Sequence, residues 1–410
     1  MNAAQPADER LRVLFVCPFV PWPLNSGGRI RTYHLLQALG KRAHIDLLLV
    51  REPGPIEEAE AALAPLVARV DFFERAAPGA VMRWSRPKIE RWFHSPDLRA
   101  SLARAIAGTG HPGEPDQAPY DLVHLDELLL ARTLPAGNRV PVVQHHHKID
   151  SVLYDLLSTH QGPARHFDLW KLRQLEREAA RRIRHHLVCS EEDAAILRRR
   201  YPDLELGVVP SGFDPQHFRP SPDGVQRERD LLVFVGSMSY GPNVDAVVHF
   251  VREVLPRVRV RRPAAHLEIV GLDPAPEVLA LAGPGVKVVG GVPDVRPYFE
   301  RASAVVVPLR IGGGTRLKIV EALAMGAPVV STPVGAEGLG LTHGEELLLA
   351  RAPGAFAQAI LQLLERPEWA RDLGARGKVS VENRFRWDVL ALGALEHWKR
   401  AASGVYGVRG

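Results

Sequence analysis

Short runs of apolar, largely β-branched residues alternate with longer amphipathic stretches along this chain. Near the beginning, RVLFVCPFV predicts a buried strand, RIRTYHLLQALGKR predicts a helix and HIDLLLV predicts a second strand. Further strands are predicted at VARVDFF, DLVHLDE, VPVVQHHH and HHLVCS, with a long charged helix near Leu169 to Arg184. The order strand, helix, strand is typical of βαβ units.

The alternation is interrupted by GVVPSGFDPQHFRPSPDGVQRERD, which is rich in proline, glycine and charge. We interpret this segment as an interdomain linker, with a hinge between Pro210 and Pro220. Beyond it the pattern predicts strands at DLLVFVGS, AHLEIVG and VKVVGG, and helices from about Asn243 to Pro256 and around Val295 to Ala302. The sequence therefore predicts an α/β protein with two Rossmann-like, doubly wound parallel sheets whose ligands lie in a cleft between the domains.

The composition limits the classes of protein that need to be considered. The 410 residues favour two domains of about 200 residues each, and 46% hydrophobic and 24% charged residues are typical of a globular protein. A net charge of +5 is modest for this length, and we predict no nucleic-acid partner. Cys17 and Cys189 lie in apolar segments, which indicates buried free thiols, and the first residues do not form a signal peptide. We expect a cytoplasmic protein.

One stretch in the second half combines a buried strand, a glycine loop, a short helix and another strand. It reads VVVPLRIGGGTRLKIVEALAMGAPVVST and runs from Val305 to Thr332. The glycines allow close backbone approach, the threonine can cap the helix, and the free N–H groups of a helix start favour phosphate when cations lie beside them. The sequence predicts a nucleotide diphosphate site formed by Gly312, Gly313, Gly314, Thr315, Arg316, Lys318 and Glu321.

Several separated motifs together resemble the retaining glycosyltransferases of family 4, of the group 1 type, and this chain falls in a subgroup with a GGGTRLK phosphate loop. The motifs are GGRIRTYHLLQALGKR, VCSEEDAAIL, VVPSGFDPQHF, FVGSMSYGPNVDAV, EALAMGAPVVST and FRWDVL. The resemblance implies the GT-B fold and transfer of a hexose from a nucleotide diphosphate donor with retention of anomeric configuration, as in polysaccharide biosynthesis. It also implies an acceptor-side domain at 1–207, a nucleotide-sugar domain at 208–384, and a terminal helix at 385–410 that crosses back to the first domain.

The proposed reaction requires cations beside the leaving phosphates. We predict that Arg316 and Lys318 supply this charge, because catalysis of such a departure is mainly electrostatic. In many family members an Arg and Lys pair also follows the first strand of the second domain. Here that loop reads GSMSY, so Ser237 remains only as a hydrogen-bond donor.

Glu321 lies three residues after Lys318 in an apolar segment, which makes a solvated position improbable. We predict that its carboxylate binds the donor ribose, with an ion pair to a neighbour as the structural alternative. The family often has a second glutamate eight positions earlier, where this chain has Gly313. Recognition of the donor sugar is therefore expected to use backbone N–H groups.

In the first half, Gly27 and Gly28 form a second candidate loop for donor or acceptor, although paired glycines are also common in turns. The run His145, His146, His147 does not predict a metal site, because consecutive strand residues point to alternate faces. By resemblance, His147 hydrogen-bonds the donor sugar near its anomeric carbon. The alternative is a loop histidine satisfied by the backbone.

The base of the donor should lie near GGVPDVRPYF, where Val292 presents backbone groups. A UDP-sugar is our first expectation, although this loop does not decide among UDP, GDP and ADP. We predict no cofactor and no required metal, because cations and the helix dipole can hold the diphosphate.

The acceptor is expected to be a glycan, a lipid-linked molecule or a small molecule. The stretch VMRWSRPKIERWFHSPDLRASLARAIA carries aromatic and basic residues and is a candidate for peripheral contact with the inner membrane face; a helix with aromatics facing the core is the alternative. A nonhydrolysing sugar-nucleotide epimerase and a non-catalytic nucleotide-sugar-binding protein remain as alternative functions.

Overall fold

The structure is a computed structural model. It describes residues 10–52, 54–77, 79, 85–109, 120–157, 162–221, 226–312 and 316–404. The chain divides into two compact units. The first unit comprises the residues up to Val209 and those from Ala391 on, and the second comprises Pro210–Leu390.

The first unit contains a seven-stranded sheet in the order β3-β2-β1-β4-β5-β6-β7. All neighbouring strands pair in parallel. The strand order reverses between β1 and β4, so the carboxyl ends of these two strands, Cys17 and Asp126, lie side by side. The strands are β1 (Arg12–Cys17), β2 (His44–Arg51), β3 (Arg69–Glu74), β4 (Leu122–Asp126), β5 (Val142–His145), β6 (His185–Val188) and β7 (Glu205–Val208).

Helices connect these strands. Ser95 and Ser190 cap two of them with their side chains, and acidic residues occupy the first turn and basic residues the last turn of the helix after β6. The helices are α1 (Gly27–Leu39), α2 (Glu57–Leu63), α3 (Lys88–Trp92), α4 (Pro96–Ile106), α5 (Asp150–Leu157), α6 (Pro163–Arg182) and α7 (Glu191–Arg200), with a 3₁₀ helix at Leu128–Thr133.

The second unit contains a six-stranded sheet in the order β10-β9-β8-β11-β12-β13, again with parallel pairing. Its strand order reverses between β8 and β11. The two parallel sheets confirm the predicted fold class. The strands are β8 (Leu231–Val235), β9 (His266–Val270), β10 (Val286–Gly290), β11 (Ala304–Val307), β12 (Val329–Ser331) and β13 (Leu348–Leu349).

The helices of the second unit include one π-helical segment, Phe250–Val254, between two α-helices. The last helix begins in this unit and continues into the residues assigned to the first. The helices are α8 (Gly241–His249), α9 (Leu255–Arg261), α10 (Pro276–Leu279), α11 (Arg296–Arg301), α12 (Leu317–Ala324), α13 (Pro353–Glu365), α14 (Pro367–Arg384) and α15 (Trp387–Ala402).

Three sequence predictions were wrong in detail, and one strand was not predicted. The helix predicted to end at Pro256 does not end there, because Pro256 lies in the first turn of α9, where proline is tolerated. Gly27 and Gly28 are not a loop before a helix but the first two residues of α1. The predicted linker begins inside β7, and the short strand β13 was missed.

Each unit has its own apolar core. In the second unit the buried residues of β8, β9, β11 and β12 pack against α12, α13 and α14. Cys17 and Cys189, at the end of β1 and just after β6, are buried and form no disulfide, as the sequence predicts. In the described part of the chain, no helix is both long and apolar enough to cross a bilayer.

Candidate functional site

In the second unit, Lys318 lies in the first turn of α12, which follows the loop at the carboxyl end of β11. Its Nζ donates a hydrogen bond of 2.8 Å to Oδ1 of Asn243 and lies 4.2 Å from the centre of the Phe234 ring. No carboxylate of the described residues lies within 4.0 Å of this ammonium group. The positive charge is therefore held by an amide and an aromatic face, and it is not neutralised by an acid.

Gly236, directly after β8, leaves the space that Lys318 occupies. A Cβ at this position would lie 2.6 Å from Nζ of Lys318 and 2.8 Å from Nδ2 of Asn243. Asn243 in turn donates from Nδ2 to the carbonyl of Ser237 at 2.8 Å. Any side chain at Gly236 would displace both Lys318 and Asn243.

Glu321 is one turn further along α12 and is buried. Burial raises the pKa of Glu321 to about 7, although the charge of Lys318 opposes this. Burial and the charge of Arg316 lower the pKa of Lys318 to about 7, with Glu321 opposing. Among the described residues, no side chain donates a hydrogen bond to the Glu321 carboxylate, so the ion pair considered from the sequence does not form there.

Arg316 occupies the N-cap position of α12, which begins at Leu317, so the prediction that the helix itself carries Arg316 was wrong by one residue. Its guanidinium is buried, donates from Nη2 to the Val334 carbonyl at 3.3 Å and packs on Gly312, where a Cβ would lie 2.5 Å from Nη2. Arg316 is thus not turned into solvent. Gly313, Gly314 and Thr315 lie outside the described residues.

Two further predicted donor residues lie at the same carboxyl edge of this sheet. Ser237 follows β8, and its hydroxyl lies 3.1 Å from that of Ser239. Val292 follows β10, two strands away from β8, and is partly buried against the core. The structure therefore brings Ser237 next to the Lys318 group and leaves Val292 apart from it.

In the first unit, Asp126 at the end of β4 is the centre of a buried polar network. Its Oδ2 accepts a hydrogen bond from the Thr32 hydroxyl at 2.6 Å, and its Oδ1 accepts one from Nε2 of His147 at 2.8 Å. Nδ1 of His145 lies 3.0 Å from the same oxygen. Burial alone would raise the pKa of Asp126, but the charge of His147 and the histidine hydrogen bonds hold it well below its ordinary value.

His147, the predicted sugar-binding residue, stands between two carboxylates. Besides its contact with Asp126, its Nδ1 lies 3.3 Å from Oε1 of Glu127. A Cβ on Gly28 would lie 3.7 Å from the same nitrogen, so the first turn of α1 lies beside the ring. The structure therefore brings Gly28 and His147 together, and both ring nitrogens face protein acids.

Glu127 has an unusual backbone conformation. Its φ is 95°, a region that residues other than glycine rarely adopt, at a cost of about 1 to 3 kcal/mol. Its N–H donates to the His145 carbonyl at 2.9 Å, and its carboxylate accepts from Nζ of Lys148 at 3.0 Å. Strain of this kind persists only where the surroundings enforce it, and it is found preferentially at functional sites.

Lys148 and Asp150 extend this network. Burial would lower the pKa of Lys148, but the charges of Asp150 and Glu127 outweigh it and raise that pKa. Burial raises the pKa of Asp150 to about 6, with Lys148 opposing. Lys148 thus links the two carboxylates, with Asp150 Oδ1 3.5 Å from its Nζ.

His124, Asp126 and His145 are close enough together to be considered as metal ligands. However, Nδ1 of His124 accepts from the Trp398 indole N–H at 3.0 Å, and Nε2 of His145 accepts from Arg31 at 2.7 Å. Burial lowers the pKa of both histidines, so each neutral ring carries its one proton on the nitrogen that faces Asp126. Neither ring offers a lone pair there; Nδ1 of His145 lies 3.0 Å from Asp126, whereas Nε2 of His124 lies 3.9 Å away, beyond hydrogen-bond distance.

Several residues of these sites were missed or left without a role. Asn243 is the important omission in the second unit, since it positions Lys318. In the sequence, Asn243 is a polar residue beside a proline at the start of a predicted helix, and this pattern is common at helix starts in general. In the first unit, burial of Arg31 and Thr32 on α1 could not be read from the sequence, because the pattern of that helix is only weakly amphipathic.

Comparisons with known proteins agree on one family. Residues 12–217 match the model of Glycosyltransferase Family 4, and residues 229–366 match that of Glycosyl transferases group 1. The chain is 28% identical to a D-inositol 3-phosphate glycosyltransferase of Frankia alni, covering 85% of this chain and 94% of the relative.

Solved structures show the same fold. Sucrose-phosphate synthase from Thermosynechococcus elongatus has a TM-score of 0.69 at 19% identity and covers 96% of this chain and 100% of its own. Anabaena HepE in complex with UDP has a TM-score of 0.66 at 16% identity and covers 95% and 100%.

The chain belongs to glycosyltransferase family 4. It is a retaining glycosyltransferase that uses a nucleotide-sugar donor, which confirms the predicted activity over the epimerase and the non-catalytic alternatives.

Proposed function

We propose that this family 4 glycosyltransferase holds the diphosphate of its donor at the start of α12, and that the donor is a UDP-sugar. The observation that carries the proposal is the Lys318 ammonium group, which is positioned by Asn243 and Phe234 without a neutralising acid within 4.0 Å in the described part of the chain. A partly buried cation without a counterion is costly, and a bound diphosphate supplies that counterion.

Lys318 and Arg316 are proposed to stabilise the departing diphosphate. As the bond between the anomeric carbon and the phosphate oxygen breaks, negative charge grows on the phosphates and the sugar gains oxocarbenium character. A cation already fixed in place stabilises that charge without reorganisation. Because Gly236 must lack a side chain to leave room for Lys318, we also assign it a positioning role.

Glu321 is proposed to accept hydrogen bonds from the ribose hydroxyls. Its carboxylate is buried and receives no hydrogen bond from a described side chain, so two hydroxyl donors would satisfy it. Val292, at the same edge of the sheet but two strands away, is proposed to contact the base.

His147 is proposed to hydrogen-bond the transferred sugar. Asp126 is a positioning residue for this ring, because it accepts from Nε2 and is itself fixed by Thr32 on α1. Nδ1 of His147 lies 3.3 Å from Glu127, which is a longer contact than that of Nε2 with Asp126. Nδ1 is therefore the nitrogen that can form a hydrogen bond with a sugar hydroxyl. Gly28 is proposed to keep the space next to that nitrogen open.

The acceptor is proposed to be a glycan, a lipid-linked molecule or a small molecule handled by the first unit. On α3 the Trp92 side chain is 62% exposed, whereas Phe93 packs against the core. We propose that Trp92 contributes to a peripheral membrane contact; Arg83 and Trp84 lie outside the described residues. Binding of the wild type to anionic vesicles, with loss in a Trp92→Ala variant, is the expected result.

A thermal-shift panel with UDP, GDP, ADP and TDP tests the donor site. We expect UDP to stabilise the wild type, by about 2.7 kcal/mol at a concentration 100 times its Kd, and Lys318→Ala to lose that stabilisation. Lys378→Ala, on α14 and paired with Glu382, is the matched control. If another nucleoside diphosphate stabilises the wild type instead, that nucleotide replaces UDP in the proposal. If none of the four stabilises the wild type, the proposed diphosphate site is wrong.

A further inference from the structure

A cavity of about 540 Å³ in the first unit is lined by four arginines and lies apart from the Asp126 network. Leu134 to Asn138 and Arg182 form one side, and these segments lead into the amino ends of β5 and β6. Asp126, His145 and His147 lie at or beyond the carboxyl ends of the strands and do not line the cavity. The cavity is therefore a separate feature of this unit.

The charges around this cavity do not balance. Arg86 pairs with Glu90 at 2.6 Å, and Arg132 pairs with Glu90 at 2.8 Å and with both oxygens of Glu178 at 2.6 and 2.7 Å. The other two guanidinium groups, of Arg99 and Arg182, have no carboxylate within 4.0 Å among the described residues. Four cations thus face two carboxylates, which leaves an excess of two positive charges.

The guanidinium of Arg182 is held in place without being neutralised. It donates to the carbonyls of Ala131, Leu134 and Pro135 at 3.3, 3.0 and 3.2 Å. These carbonyls fix its orientation but leave its charge uncompensated. A fixed cation beside an exposed one such as Arg99 is suited to an incoming anion.

Neighbouring ionisable groups respond to the same positive potential. Hydrogen bonds from Arg132, together with the charges of Arg132, Arg86 and Arg182, lower the pKa of Glu178 in spite of its partial burial. Burial and the charges of Arg86 and Arg99 lower the pKa of His94. The four arginines therefore create a positive potential in the same region of the first unit.

We propose that this cavity, the arginine pocket, binds a phosphate group. Guanidinium groups recognise phosphate oxygens through paired N–H donors, and the pocket supplies two such groups that carboxylates do not occupy. Leu134, Pro135 and Ala136 add an apolar wall, which suits a phosphate carried on an organic molecule. The phosphate belongs either to a lipid headgroup or to a soluble compound.

The first experiment uses the full chain carrying Lys318→Ala, so that the donor site does not contribute. Thermal stability is measured in sodium phosphate against sodium chloride at equal ionic strength. We expect specific stabilisation by phosphate, and an affinity reduced roughly tenfold or more by Arg99→Gln, since one charge-assisted hydrogen bond is lost. Arg181→Gln, an exposed arginine next to the pocket residue Arg182, should behave as the parent.

Arg99 is exposed, and its side chain makes no described hydrogen bond or ion pair, so its substitution should not affect folding. A double variant with Arg182→Gln should abolish phosphate binding. Absence of a phosphate effect in the parent, or equal losses with Arg99→Gln and Arg181→Gln, would overturn the proposal.

A second measurement separates the two sources of the phosphate. The same variants are sedimented with phosphatidylcholine vesicles, with and without phosphatidic acid. Binding that requires phosphatidic acid and Arg99 identifies a lipid headgroup. Phosphate binding in solution without such vesicle binding identifies a soluble phosphorylated ligand.

Discussion

The two polar sites differ in how their charges are satisfied. Around Asp126 the carboxylate has protein partners, since it accepts hydrogen bonds from Thr32 and His147 and lies 3.0 Å from Nδ1 of His145. Among the described residues, the Lys318 ammonium contacts an amide and a ring, and Glu321 has no side-chain donor. The first arrangement holds a side chain in position, whereas the second is complete only when a ligand supplies the missing charges.

Removing Asp126 should have the largest effect. We expect Asp126→Asn to lower the free energy of unfolding by about 3 to 5 kcal/mol, because the buried negative charge is lost and an NH₂ donor replaces one of the two oxygens that face Thr32 and the histidines. Urea unfolding followed by fluorescence gives this value. Asp97→Asn, at an exposed position on α4, is the control, and a loss below about 1 kcal/mol would show that the network is not stabilising.

Substituting Glu321 tests whether the Lys318 site is completed by a ligand, through its preference between two nucleotides. If Glu321 holds the ribose, the wild type should bind UDP about tenfold more tightly than 2′-deoxy-UDP, and Glu321→Gln should lose most of that preference. Calorimetric titration measures both affinities. Glu345→Gln, at an exposed position in the same unit, should retain it, and an unchanged preference in Glu321→Gln would remove the ribose assignment.

Two buried groups, His186 on β6 of the first unit and Glu321 on α12 of the second, should respond to acid in opposite directions. His186 is buried, and its pKa falls from 6.5 to about 4, so below pH 6.5 the unfolded chain takes up the proton first and stability is lost. For Glu321 the pKa rises from 4.5 to about 7, so between these values the folded chain holds the proton and stability increases as the pH falls.

Hydrogen exchange followed by mass spectrometry distinguishes these responses. From pH 7 to pH 5, after correction for intrinsic exchange, amides of β4 to β6 should lose protection severalfold while those of α12 do not. A parallel loss in both elements would show that the buried groups do not act separately.

The smallest effect is expected for Lys318 in the absence of ligand. Burial already disfavours its charge, so Lys318→Met should change the free energy of unfolding by less than about 1 kcal/mol, despite the lost hydrogen bond to Asn243. Thermal unfolding without nucleotide provides the measurement. A large destabilisation would mean that Lys318 is a structural residue, and the comparison between the two sites would fail.

Sequence reasoning identified the strands well where they are short, apolar and β-branched, as in β8 and β11. It missed β13, which has two residues, and misjudged Pro256, because proline is compatible with both the end and the first turn of a helix. Periodicity cannot distinguish these cases, since tertiary contacts decide them.

At the sites, the charged residues could be identified from the sequence, but the residues that position them could not. Lys318 and Glu321 were visible as polar residues in an apolar helix. Asn243 comes from 75 positions away, and the strain at Glu127 depends on backbone geometry, so neither had a local signal. The chemistry of a ligand site can thus be visible in a motif, while the contacts that orient it belong to the fold.

The buried thiols give the first unit a built-in reporter. Both cysteines of the chain, Cys17 and Cys189, lie there, and burial raises the pKa of each, that of Cys189 to about 12. Alkylating reagents will therefore react with them only when this unit opens. The rate of their modification follows that opening without any engineered label, while the cysteine-free second unit contributes no signal.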